Sequence, residues 1–322
     1  MTQRRTFIRM AAGSLLALPL ASLAQSTPKI ARIGWLTPGV FEVHSRAFRE
    51  AMRTYGDVEG QAYIIETRSA DENLDRLPRL AAELVASRVD IIVAVGPPAI
   101  LAARQATGTI PIVMAFWGRS GLIETGMVAN LARPGGNVTG VYMLGAELDA
   151  KRLDLLLQAV PKARKVGCLD PGYALSEVQK TAQDAGVQLR MTEVGLGDDS
   201  YVRAFEAMAQ AHVDALLVTS SPRYFGDARK IIDLAASRRI PAIYEWTSMA
   251  EDGGLMAYGP TFSELDGRVA AYVQRILKGA KPGDLPIEQP SKFELVFNLG
   301  TAKTLGMTIP PSLLLRADRV IQ

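Results

Sequence analysis

From Lys29 onward, short apolar runs alternate with longer stretches in which apolar residues recur every three or four positions. The first pattern predicts strands and the second amphipathic helices. Ile30 to Leu36 reads as a strand, and Phe48, Ala51, Met52 and Tyr55 fall at helical spacing behind it. A turn at Gly56-Asp57-Val58-Glu59-Gly60 leads to a second strand, Ala62 to Thr67. Leu77, Leu80, Ala81, Leu84 and Val85 then mark a helix, with Pro78 in its first turn, where a missing N–H is harmless. Ile91 to Val95 is apolar at every position, as in a strand covered on both faces of a parallel sheet. A helix over Ala99 to Gln105 and a strand over Ile112 to Phe116 complete a βαβα series, which builds a doubly wound parallel sheet.

The same series then runs again. KARKVGCLDPG (Lys162 to Gly172) aligns with KIARIGWLTPG (Lys29 to Gly39) with five identities in eleven. VDALLVTSSP from Val213 aligns with VDIIVAVGPP from Val89, and IPAIYEW from Ile240 with IPIVMAFW from Ile110, in the same order. The fold class is therefore α/β, with two doubly wound parallel-sheet lobes joined by a hinge. Residues 29–140 with about 260–288 are assigned to lobe 1, and 141–259 with about 289–322 to lobe 2. The crossings are expected near Gly140-Val141-Tyr142 and Tyr258-Gly259-Pro260. A helix over Glu264 to Lys278 should pack on lobe 1, and Lys292 to Phe297 should form a strand after the last crossing.

The segment before Lys29 has a different character. QRRTFIR precedes a moderately apolar stretch from Met10 to Ala24 that ends in Ser22-Leu23-Ala24, the layout of an export signal. Arg4-Arg5 resembles a twin-arginine signal, which implies translocation to the periplasm; cleavage is expected after Ala24, so that 1–24 is the signal. The stretch is shorter than the roughly 20 residues of a membrane-spanning helix, so no direct span is expected after cleavage. Removing three arginines and no acid turns 36 basic against 33 acidic residues into 33 against 33. A near-neutral chain without a long basic run gives no footprint for nucleic acid. Cys168 is the only cysteine, which excludes an intrachain disulfide.

All three tryptophans, Trp35, Trp117 and Trp246, fall at or just past predicted strand ends, as do Phe116, Tyr142, Tyr173, Tyr244 and Tyr258. In open α/β sheets ligands sit outside the carboxyl ends of the strands. The polar groups there are Thr37, Arg119, Asp170, Ser220, Ser221 and Glu245. Ser220-Ser221 before Pro222 suits a carboxylate, because hydroxyl and N–H groups donate together where a helix dipole favours negative charge. An acid on the opposing wall, Asp170 or Glu245, would suit an ammonium. Cap and turn roles are the competing reading of Ser220 and Asp170. No G-x-S-x-G, H-E-x-x-H or G-x-x-x-x-G-K-[ST] motif is present, and the two histidines, His44 and His212, are far apart. Neither catalytic residues, nor a metal site, nor a cofactor is expected.

DVEGQAYIIETR (Asp57 to Arg68), DRLPRLAAELVASRVDIIVAVG (Asp75 to Gly96), LARPGGNVTG (Leu131 to Gly140), GGLMAYG (Gly253 to Gly259) and the long segment from Tyr272 to Asp318 carry a resemblance over nearly all of the chain after Lys29. The chain resembles ABC-transporter substrate-binding proteins of the type I periplasmic binding fold, in the group that includes tryptophan- and aromatic amino-acid-binding members. The resemblance implies a small-molecule solute held between the lobes, and a membrane permease with its ATPase as partners. It implies contacts from Trp35, Thr37, Gly96, Pro97, Phe116, Trp117, Asp170, Ser220, Ser221, Tyr244 and Glu245, with Tyr142 beside them at the crossing. Asp170-Pro171 and Trp117-Gly118-Arg119-Ser120 depart from the turns usual in the group. A periplasmic sensor receptor would share this sequence pattern, and an enzyme could share the fold.

Overall fold

The computed structural model describes residues 29–39, 42–71, 73–118, 122–123, 125–143, 145–169, 175–194 and 199–322. The export signal expected at 1–24 lies outside them. The first elements are β1 (Ala31–Thr37), α1 (Glu42–Thr54), β2 (Tyr63–Ser69), α2 (Leu77–Ala86), β3 (Ile91–Val95), α3 (Gly96–Ala106), β4 (Ile112–Gly118) and β5 (Val138–Met143). Next come α4 (Gly145–Ala159), β6 (Lys165–Leu169), α5 (Ser176–Asp184), β7 (Gln188–Thr192), α6 (Ser200–Gln210), β8 (Ala215–Val218) and α7 (Pro222–Gly226). They are followed by α8 (Ala228–Ser237), β9 (Ala242–Tyr244), α9 (Thr247–Glu251) and β10 (Met256–Gly259). The chain ends with α10 (Phe262–Leu277), β11 (Glu294–Asn298), α11 (Leu299–Leu305), α12 (Pro311–Leu314) and β12 (Arg319–Ile321).

Two sheets result. One is five-stranded and parallel, in the order β2-β1-β3-β4-β5; the other is seven-stranded, β12-β11-β10-β9-β8-β6-β7, with only β10 and β11 antiparallel. The first five strands of the second series repeat the order of the first. In both, the connections reverse direction after the first strand, which leaves a switch point between β1 and β3 and another between β6 and β8. The first sheet keeps β5 to Met143, so the chain leaves it three residues later than the boundary at 140 expected from sequence. The physical reason is the pairing of β5 with β4, which continues through Tyr142 and Met143 beyond a bulge.

The sequence repeat has a bonding basis. Asp90 accepts a hydrogen bond from the Arg32 N–H at 2.8 Å, and Asp214 accepts from the Arg164 and Lys165 N–H groups at 2.7 and 2.9 Å. Each acid thus ties the start of the first strand to the turn before the third. The Ile92 N–H donates to the Pro111 carbonyl at 2.9 Å, and the Leu216 N–H to the Pro241 carbonyl at 2.8 Å. Gly34 and Gly167 occupy matching strand positions against a helix: an added Cβ would lie 3.0 Å from Leu84 in one lobe and 3.0 Å from Met208 in the other.

The direction of the crossings sets where the cleft lies. The carboxyl end of β5 leads into α4, and the carboxyl end of β10 leads into α10, which packs on α1 and on β4 and β5 of the first sheet. Both carboxyl ends therefore face the neighbouring lobe. Thr261 caps α10 by accepting from the Glu264 N–H at 3.1 Å, in a T-x-x-E arrangement. Leu265, Val269, Tyr272, Val273 and Ile276 form its buried stripe, each contributing about 1.5–3 kcal/mol. The third crossing is held by a backbone bridge between Val141 and Glu288 and by Arg268, which reaches Glu288 at 2.9 Å and Ser291 at 2.7 Å.

Gly140 on β5 has φ +133, and an added Cβ would fall 2.2 Å from the Met114 carbonyl oxygen. Neither obstacle is a flexible side chain. Gly140→Ala is expected to lower stability by about 2–4 kcal/mol in urea unfolding; a change under about 0.5 kcal/mol would contradict the close approach of β4 and β5.

Candidate functional site

Each switch point brings together two strand ends, those of β1 and β3 in the first sheet and those of β6 and β8 in the second. On the first lobe, Thr37 closes β1 and is 2% exposed; its hydroxyl accepts from the Gly39 N–H at 3.4 Å. Gly96 opens α3 directly after β3, followed by Pro97 and Pro98, which carry no N–H, so that of the first three helical residues only Gly96 has a backbone donor. Phe116 and Trp117 sit on β4, where its pairing with β5 shifts by a bulge between Met114 and Trp117. Their side chains lie outside the described residues, as do Arg119, Asp170, Tyr173 and the side chain of His44.

Two expected wall residues are in the core instead. Trp35 is fully buried, with its ring edge-on to Phe48 at 5.2 Å. Tyr244 is 1% exposed and belongs to the same apolar cluster. Both stand within strands covered by helices on each face, where a large ring is worth more as packing than as a cleft wall. Tyr142 is 8% exposed and donates its hydroxyl hydrogen bond to Gln289 at 3.1 Å, tying β5 to the third crossing.

Glu245 is not opposite Ser220, as expected, but beside it, because β8 and β9 are neighbours in one sheet. Ser220, Ser221 and Glu245 meet around a charged centre that no motif pointed to. Arg152, on α4, is fully buried. Its Nη1 donates to Asp149 at 2.5 Å and to Ser220 Oγ at 2.7 Å, its Nε donates to the Tyr258 carbonyl at 2.7 Å, and its Nη2 lies 3.8 Å from Glu245. The Ser220 N–H donates to Asp149 at 3.1 Å. Ser220 is therefore committed to this network rather than offered to a carboxylate. Ser221 is part-exposed at the start of α7. The only sequence signal for Asp149 and Arg152 was a polar pair three residues apart on a helix, which is ordinary for a solvated face.

Burial pushes the Glu245 carboxyl above its ordinary value of 4.5; the nearby guanidinium pulls it down, and Asp149 pushes it up again. The first and last effects win. Asp149 already neutralises Arg152 at close range, so a second carboxylate in the same dry space is disfavoured.

Beside this cluster stands an aromatic group from both sides of the second crossing. Trp246, just after β9, stacks on Phe262 at the start of α10, with centroids 4.5 Å apart and planes 5° from parallel. Phe225 of α7 meets Trp246 at 5.7 Å and Phe262 at 4.9 Å, edge to face. Among the described residues no group of three or more His, Cys, Asp or Glu could hold a metal ion. Nor is any described helix long and apolar enough to cross a membrane.

A two-lobed α/β frame with facing switch points defines a class of proteins that hold small molecules between lobes. The chain belongs to the ABC transporter substrate binding protein family, whose profile matches residues 38–321. That is a family of solute-binding proteins rather than enzymes, and membership carries a small-molecule solute and an ABC permease as partners. A tyrosine-binding protein from Clostridioides difficile (strain R20291) is 26% identical over 81% of this chain and 76% of its own length. The structure of a Streptococcus pneumoniae ABC domain in complex with L-Trp is similar with a TM-score of 0.81 at 24% identity, over 91% of this chain and all of that one. A conserved domain protein from Vibrio cholerae gives a TM-score of 0.82 at 24% identity with the same coverage.

The raised Glu245 carboxyl has a consequence for stability against pH. A carboxyl whose folded value lies above its unfolded value contributes stability that is full below the unfolded value and is lost as pH rises through the folded one. Glu245→Gln keeps the neutral form at every pH. Urea midpoints of the variant, relative to those of the native sequence, should therefore rise as pH is raised from 4.5 toward neutrality. Parallel profiles over that range would mean that Glu245 folds in its charged form.

Proposed function

We propose that this chain is the exported solute receptor of an ABC importer. It binds an amino acid or related amphipathic carboxylate, aromatic or branched in its side chain, between the lobes. The carrying observation is that the Gly96-Pro97 turn after β3 and the Ser220-Ser221 loop after β8 lie at the two switch points, one in each lobe. A ligand touching both binds the closed arrangement better than the open one, so binding shifts the population toward closure. The tyrosine-binding and L-Trp-bound relatives support an amino acid as the solute.

In this reading the first lobe contributes Thr37, Gly96, Pro97, Phe116 and Trp117, and the second contributes Asp170 and Ser221, with Ser220 and Glu245 behind them. Tyr142 braces the crossing, while Trp35 and Tyr244 support the floor from the core. Phe225 and Phe262 offer part-exposed rings to an apolar side chain. Asp170 is assigned to the ligand ammonium, because Glu245 is buried and held by Arg152. The Arg4-Arg5 leader supports periplasmic delivery by the twin-arginine route.

Affinity near micromolar, about −8 kcal/mol, is expected. A thermal-shift screen against L-tyrosine, L-tryptophan, L-phenylalanine and L-leucine tests the reading. A ligand at a hundred times its Kd adds about 2.7 kcal/mol, a rise in Tm of about 2–4 °C. No shift with any amino acid, in protein freed of retained ligand by unfolding and refolding, would overturn the assignment of solute class. Asp170→Ala should weaken binding of an ammonium-bearing ligand by about 2 kcal/mol or more; unchanged affinity in titration calorimetry would remove Asp170 from the site.

A further inference from the structure

The second lobe must keep its ligand loop aligned with the chain segments about which the lobes turn. Two of those segments begin or end on this lobe: α4 starts at Gly145, directly after the first crossing, and β10 ends at Gly259, directly before the second. Arg152 joins them. It stands two turns into α4, bonds the carbonyl of Tyr258 at the end of β10, and grips Ser220 in the loop after β8. Asp149, one turn before it on α4, takes both the guanidinium and the Ser220 N–H. Glu245, after β9, lies against the remaining nitrogen at 3.8 Å.

We propose that Arg152 is a positioning residue for solute capture, which locks the Ser220-Ser221 loop to the roots of the first and second lobe crossings. It touches no solute itself, since its side chain is fully buried and surrounded by protein groups. The electrostatics make the lock stiff. A buried guanidinium cannot lose a partner without leaving an uncompensated charge in a dry site, so the loop, α4 and the end of β10 shift together or not at all. The planar fork matters as well as the charge, because separate nitrogens point toward separate elements; an ammonium on a flexible stem cannot hold that arrangement. Two part-exposed serine positions at a strand end thereby become a fixed surface, and pressure from a ligand at Ser221 reaches the hinge through one side chain. The capture role rests on the solute-binding reading above, whereas the mechanical lock does not.

The test separates the two. Asp149→Asn/Arg152→Met removes the guanidinium together with the carboxylate that pairs with it at 2.5 Å, and Ser220→Ala removes one partner with little risk to folding. Hydrogen exchange of the purified, ligand-free protein is the first readout. The double variant should lose protection at residues 219–222 and at 258–264 together, while β1 and β3 keep theirs. Unchanged protection at either segment overturns the lock, whether or not any amino acid binds. Affinity is the second readout, with L-tyrosine and L-tryptophan as probes. Both variants should weaken binding roughly tenfold, and Arg152→Lys should fail to restore it. Native affinity in the double variant overturns the role in capture. Failure of the native protein to bind either probe counts against the solute reading, and the exchange result still decides the lock.

Discussion

A parallel sheet has to be covered on both faces, and most of this molecule follows from that requirement. Strands such as Ile91–Val95 and Ala215–Val218 are buried along their whole length. Polar side chains cannot be placed along them without partners, so the polar chemistry collects where the strands end. Helices must return on alternate faces, and the order 2-1-3-4-5 in each lobe opens a crevice beside the first strand. The second lobe adds two strands, β11 and β12, that the repeat does not contain; β11 is the element through which the chain returns after its last crossing. Facing crevices are a result of this arrangement, because the first two crossings leave from carboxyl ends.

The exception to polar groups at exposed ends is the Arg152 cluster. An Arg and two acids lie out of water in the second lobe, bonded to the part-exposed Ser220. Removing such charges from water costs several kcal/mol per ion unless every partner is in place. The cluster is therefore weak evidence for stability and stronger evidence for geometry. Its partners come from α4, the ends of β8 and β9, and β10. The Trp246–Phe262–Phe225 group beside it spans the second crossing with apolar contact, which can slide at little cost where a hydrogen-bonded network cannot. Polar alignment is thus fixed within one lobe, and the contact across the crossing is apolar.

The doubly wound series and its repetition were legible from periodicity and from a few fixed residues. Val89-Asp90 and Val213-Asp214 recur because each Asp closes the start of its sheet, and Ile110-Pro111 and Ile240-Pro241 because each proline carbonyl enters the ladder. Such local bonds select residue types directly, and so they leave a mark in the sequence. The strand ends that hold Thr37, Gly96 and Ser220 were legible for the same reason. The roles of Trp35 and Tyr244 were not, because an aromatic near a strand end reads alike whether it faces the cleft or a helix. The sequence by itself determined two α/β lobes and the family to which the chain belongs, since both depend on patterns within segments of ten to forty residues. Only the tertiary structure decided that Glu245 stands beside Ser220 and that Arg152 joins them to Tyr258, because partners 25 to 106 positions apart are chosen by strand order and desolvation, which no local spacing records.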